Sequence, residues 1–72
     1  MKKKYVYLIA LESMQTVEEL DRAMEEDRLF YELFTDSRKE AFNDHKKHFP
    51  NCPIYRAEGK NNKIISEWKR IK

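Results

Sequence analysis

The sequence predicts a small α+β domain, a mixed or antiparallel sheet of three or four strands with one or two helices on one face. Three observations carry that expectation. The chain opens on a strand-like run that is apolar on both sides, two amphipathic stripes follow capping motifs, and a turn-bounded β segment lies near the end. The predicted order is β-α-β-α-β-β, or β-β-α-β if the first helix is only partial.

Residues 4–11 alternate Tyr5, Tyr7, Ile9 and Leu11 with Val6, Leu8 and Ala10. Apolar character on both sides predicts a central strand, covered on each face by helices or by another subunit. The run is short, tyrosine-rich and without a small-residue cleavage site after it, so a strand is expected rather than a signal peptide. Thr16-Val17-Glu18-Glu19 has capping-box spacing, in which hydroxyl and carboxylate each bond the other residue's backbone N–H. Val17, Leu20 and Met24 then recur at helical spacing, predicting a helix over about 16–26. Leu29–Phe34 is so densely apolar that a helix there would lack a polar side, so a second strand is expected rather than a continuation of the helix to 35.

Ser37-Arg38-Lys39-Glu40 repeats the capping-box spacing, and Ala41, Phe42, His45 and Phe49 form one stripe. Lys46 and Lys47 suit the negative end of that helix, which Pro50 stops. Cys52–Ala57 reads as a strand with proline at its start, where no ladder donor is lost. Residues 58–62 carry turn chemistry. In the tail, Ile64, Ile65, Trp68 and Ile71 fit a helical stripe, but the preceding turn and the β-branched pair favour a hairpin strand over 63–71.

Seventy-two residues make a single domain over 1–72, with no repeat or linker. A chain this size buries only ~60% of its unfolded surface. The single cysteine rules out an internal disulfide and predicts a reducing, cytoplasmic setting. No apolar run is long enough for a membrane helix. The four Tyr, four Phe and one Trp argue for a packed core despite 39% charged residues. The net charge of +2 is unevenly laid out. Residues 16–36 hold eight acids against Arg22 and Arg28, while residues 37–72 hold ten bases against four acids. Folding can either mix these into a uniform surface or leave a polar molecule.

Chemistry-bearing residues are sparse. His45, His48 and Cys52 with Asp44 are metal-ligand types, but a structural zinc site wants four ligands in tightly spaced pairs, so no metal is expected. Cys52 lies between Asn51 and Pro53 with no oxyanion donor in prospect. One glycine excludes a glycine-rich phosphate loop. Neither an enzyme nor a cofactor is predicted. For nucleic acid, the candidate contacts are Lys46, Lys47, Lys60, Lys63, Lys69 and Arg70, with Tyr55 and Trp68 as possible stacking platforms. The acidic middle of the chain opposes that reading.

Helices on one face leave the other bare, which predicts an oligomer interface drawn from Tyr5, Tyr7, Tyr31, Tyr55 and Trp68. Leu33-Phe34-Thr35-Asp36-Ser37-Arg38-Lys39-Glu40-Ala41, with Lys4-Tyr5-Val6-Tyr7-Leu8-Ile9 as opening strand, resembles the YopT-like family of small Bacillus prophage proteins over about half the chain. The resemblance implies a compact α+β protomer that self-associates, and brings no activity with it. The expected function is that of a non-enzymatic interaction protein, a homo-oligomer of phage or bacterial origin that binds another macromolecule. The alternative is a small nucleic-acid-binding regulator.

Overall fold

The computed structural model describes residues 4–28, 31–60 and 63–72. The order is β1 (Lys4–Ala10), α1 (Val17–Glu25), β2 (Tyr31–Thr35), α2 (Arg38–His48), β3 (Ile54–Lys60), β4 (Lys63–Ile64) and β5 (Lys69–Arg70). All pairings are antiparallel, and β1 sits between β2 and β3. β4 and β5 both pair with β3, so they form one interrupted edge strand along its outer side. No helix among the described residues is long and apolar enough to cross a membrane.

The caps hold both helices as the spacing predicts, though each box closes by half. Thr16 accepts the Glu19 N–H at 3.2 Å, and its hydroxyl donates to the Glu19 carboxylate. Ser37 accepts the Glu40 N–H at 3.2 Å, but its own N–H donates to the Thr35 hydroxyl rather than to Glu40. α1 ends on Asp27 in the left-handed region at φ 54°, with the Arg28 N–H reaching back to the Ala23 carbonyl. The segment from Leu29 was expected to start β2, but residues 29–30 lie outside the described residues. Of the predicted 58–62 turn, Glu58, Gly59 and Lys60 instead continue β3, where they pair with β1 or β4, and residues 61–62 lie outside the described residues.

The α+β class and the antiparallel sheet are as expected, but the layering is two-sided. Alternation places Val6, Leu8 and Ala10 on a first face, opposite Tyr55 and Ala57 of β3. There they pack with Leu20, Val17 and Met24 of α1 and with Trp68. Tyr7, Ile9 and Ile54 point to the second face and are buried. α2 runs along β1 and β2, with Ala41 and His45 buried. Because β2 and β3 flank β1, the connection between them must cross β1, and that crossing brings α2 over the second face. The predicted bare aromatic sheet is therefore corrected, since Tyr7, Tyr55 and Trp68 are 6%, 0% and 7% exposed within one chain.

The predicted tail strand breaks between β4 and β5 for a visible reason. Ile65 N–H donates to the Glu58 carbonyl, and the Ser66 hydroxyl accepts the Glu58 N–H at 2.8 Å. A side chain thus satisfies the edge of β3 where the ladder lapses. The freed residues carry Trp68 over the first face, where it meets Phe34 edge-on at 6.3 Å between ring centroids. β5 resumes opposite Tyr55 and Arg56.

Candidate functional site

The first face is covered along only part of its length. β1 begins at the end where Lys4 faces Gly59, and here α1 and Trp68 give way to an open groove of about 730 Å³. Val6 and Gly59 form its floor, Phe34 and Ile64 stand as walls, and Lys4, Lys60 and Lys63 line its rim with Asp36. Register explains the assembly. Phe34 is opposite Leu8, so it projects on the same side as Val6, and Ile64 is opposite Gly59. Phe34 and Ile64 are each 44% exposed, which is high for residues of their size. Gly59 keeps the floor low, because a Cβ there would come within 3.3 Å of the Val6 side chain.

A second, shallower cleft lies around the same end of β1, between Lys4, Tyr5, Tyr7, Asp36 and Arg38. Arg56 lies over the Tyr5 ring at 4.5 Å, and Arg38 and Lys72 lie 4.9 and 5.7 Å from the Phe42 ring centroid. Stacked this way, these cations cover aromatic carbon that would otherwise face water.

The five aromatic residues expected at an interface do not form one surface. Tyr5 and Tyr7 point to the second face, Tyr5 half-buried and Tyr7 buried. Tyr55 is wholly inside, its hydroxyl donating to the Met14 carbonyl at 2.7 Å. Burial raises its pKa, and the nearby Arg70 charge opposes that rise. Trp68 is also core, whereas Tyr31 is 51% exposed beside Phe34 at 5.8 Å between ring centroids.

The basic candidates divide in the same way. Lys60 and Lys63 sit at the groove, while Lys46 and Lys47 lie in the last turn of α2, toward the opposite end of the sheet. Lys69 projects with Arg56 to the second face, and Arg70 with Tyr55 to the first. Arg70 donates to the carbonyls of Gln15 and Lys72, which ties β5 to the loop before α1. By the same alternation Lys60 and Lys63, paired with each other, project to the second face, so Arg70 alone of the four strand candidates projects to the first.

Among the described residues, no three His, Cys, Asp or Glu side chains come together as metal ligands would. His45 is in the core. Burial pushes the Cys52 thiol up, with the Glu32 and Glu12 carboxylates adding to the shift. A raised thiol pKa works against the thiolate a nucleophile needs. The groove's own chemistry is apolar contact with lysine charge around it, and it suits binding.

Reasoning from sequence reached Lys60 and Lys63 but missed Lys4, Val6, Phe34, Gly59 and Ile64 as a group. One signal was available, since a lone glycine among strand residues marks a close backbone approach. Compared with family models, curated proteins and solved structures, the chain matches none.

Proposed function

We propose that this chain is a non-enzymatic interaction protein that binds another macromolecule through the lysine-rimmed groove and also associates with itself. The carrying observation is the pairing of exposed Phe34 and Ile64 with three lysines over a floor of Val6 and Gly59. Apolar walls inside a cationic rim fit a protein segment that offers apolar anchors among acidic residues. Eight acids within residues 16–36 would repel a polyanion, which favours this reading over nucleic-acid binding.

The test is capture from bacterial lysate on immobilised wild-type chain and on Lys60→Glu/Lys63→Glu, with and without nuclease. Protein retained by the wild type irrespective of nuclease, and lost on the variant, is the expected result. Capture abolished by nuclease would move nucleic-acid binding to the front. Equal capture by both chains would remove the groove from the reading.

A further inference from the structure

We infer that the second face carries a docking surface for an acidic protein segment, separate from the groove. Register builds it. α2 runs along β1 and β2, which leaves the second face of β3, β4 and β5 with no helix laid along it. Arg56 and Lys69 project there as one cross-strand pair, and Lys60 and Lys63 as another. Partners in a pair sit on strands about 5 Å apart, and the two pairs are separated by four residues of β3, roughly 13 Å. The three lysines are exposed and Arg56 is half-buried. Glu58 is the one acid that register places on this side of the three strands.

α2 continues the charge. Lys72 follows β5, its carbonyl accepting the Ile54 N–H, and its ammonium group lies 5.7 Å from the Phe42 ring centroid. The Phe42 flank of α2 therefore faces the β5 edge. Arg38 covers the same ring at 4.9 Å, and Lys46 lies one turn beyond Phe42 on the same stripe. Glu40 and Asp44 are two positions out of phase with Phe42 and fall on the opposite flank. Cations thus pass from the strands onto the helix with its acids turned away.

Such a surface calls for an anionic partner, and two observations make that partner protein. Tyr5 and Phe42, the rings that border it, are already covered by Arg56 and by Arg38 with Lys72, so neither is open to stack a base. The eight acids of residues 16–36 repel a long polyanion, whereas a short acidic segment meets this face alone. Geometry fits as well. An extended peptide repeats each side every two residues, about 6.6 Å, so alternate acids reach both cation pairs at once.

The experiment is a titration of the isotope-labelled whole chain, followed by its backbone amide resonances. The probe is an end-blocked nine-residue peptide of alternating glutamate and serine, compared with its glutamine counterpart and with a twelve-nucleotide oligodeoxythymidylate. The glutamate peptide should move the amides of β3, β4, β5 and the Phe42 turn of α2, leaving α1 in place. Its Kd should rise about tenfold or more from ~20 to ~200 mM salt. The glutamine peptide should move none. Lys60→Glu/Lys69→Glu breaks both cation pairs and should weaken binding about tenfold or more. Arg22→Glu/Lys47→Glu changes the net charge equally, away from this surface, and should weaken it less than about threefold. Equal weakening by the two variants would mean that net charge alone attracts the peptide, and overturns the surface. So would an absence of shifts, or shifts confined to α1 or the groove. An oligonucleotide that binds more tightly than the peptide at ~150 mM salt would also overturn it, by giving the face to nucleic acid. Circular dichroism checks that each variant is folded. Should Lys60→Glu/Lys69→Glu unfold, Lys69→Glu decides alone, and an unchanged Kd refutes the proposal. Ile64→Ser alters the groove on the first face and should leave the peptide's Kd unchanged, so the groove and this surface fail separately.

Discussion

Leu8 and Val6 lie two residues apart on the same side of the same strand, yet Leu8 is sealed and Val6 floors an open groove. Their intrinsic preferences are nearly alike, so the difference comes from what lies above them. Over Leu8 the chain stacks Leu20 and Trp68, with Tyr55 beside it on the neighbouring strand. Beyond Val6 it supplies only the partly exposed rings and branches of Phe34 and Ile64, with lysines at the margin. A 72-residue chain has enough large side chains to close one end of this face, and the other end carries surface suited to a partner.

The sharpest way to break the comparison is to empty the closed end. Trp68→Ala removes the indole that roofs the first face and meets Phe34 edge-on. Aromatic truncations in cores cost about 3–5 kcal/mol. A chain of this length has roughly 4–11 kcal/mol in total. The variant should therefore lie close to unfolding, with a large drop in urea midpoint. A drop worth less than ~1 kcal/mol would mean the closed end is not closed.

A smaller effect tests the polar fastening beneath that roof. Tyr55→Phe keeps the ring but leaves the half-buried Met14 carbonyl without its hydroxyl donor, which should cost about 1–2 kcal/mol. The same residue predicts a pH dependence. Its folded pKa is raised above the ordinary tyrosine value of 10.0, by burial first. Below that value both states hold the proton and the contribution is complete. Above it the unfolded chain ionises first, so stability falls as pH climbs from there toward the folded pKa. Urea titrations across that range should show a shallower decline for Tyr55→Phe than for wild type. Parallel declines would place the phenol in water.

Much of the fold was legible because it rests on local grammar. Thr16 and Ser37 cap where their spacing says they should, and β1 shows the two-sided apolar pattern of a covered central strand. What failed was layer assignment. Alternation says that Tyr7 and Tyr55 point to opposite faces, but not which helix will cover which, because that depends on the path from β2 to β3. The groove was illegible for a related reason. Lys4, Phe34, Gly59 and Ile64 are brought together by strand register, a long-range property that no local window contains. The tail was ambiguous because both readings held part of the truth. β4 and β5 are strand, while Trp68 leaves the ladder to pack inward.

The smallest expected effect lies at the open end. Ile64 and Trp68 belong to the same interrupted edge strand region, four positions apart, and they mark its two fates. Ile64 is 44% exposed in a two-residue strand whose backbone pairing with Gly59 does not depend on its side chain. Ile64→Ser gives up apolar contact with the groove wall and little else, so the monomer should lose no more than about 0.5 kcal/mol. The substitution needs to be read by two measurements. Urea denaturation at high salt and low concentration reports the monomer, where the midpoint should scarcely move. Capture from bacterial lysate reports the groove, where losing the branched wall should lower the protein retained several-fold, since that carbon is covered only when a partner arrives. A large loss of monomer stability would show that the groove wall is core after all. An unchanged monomer with unchanged capture would show that Ile64 faces only water, and the apolar half of the proposed contact would then rest on Phe34 alone.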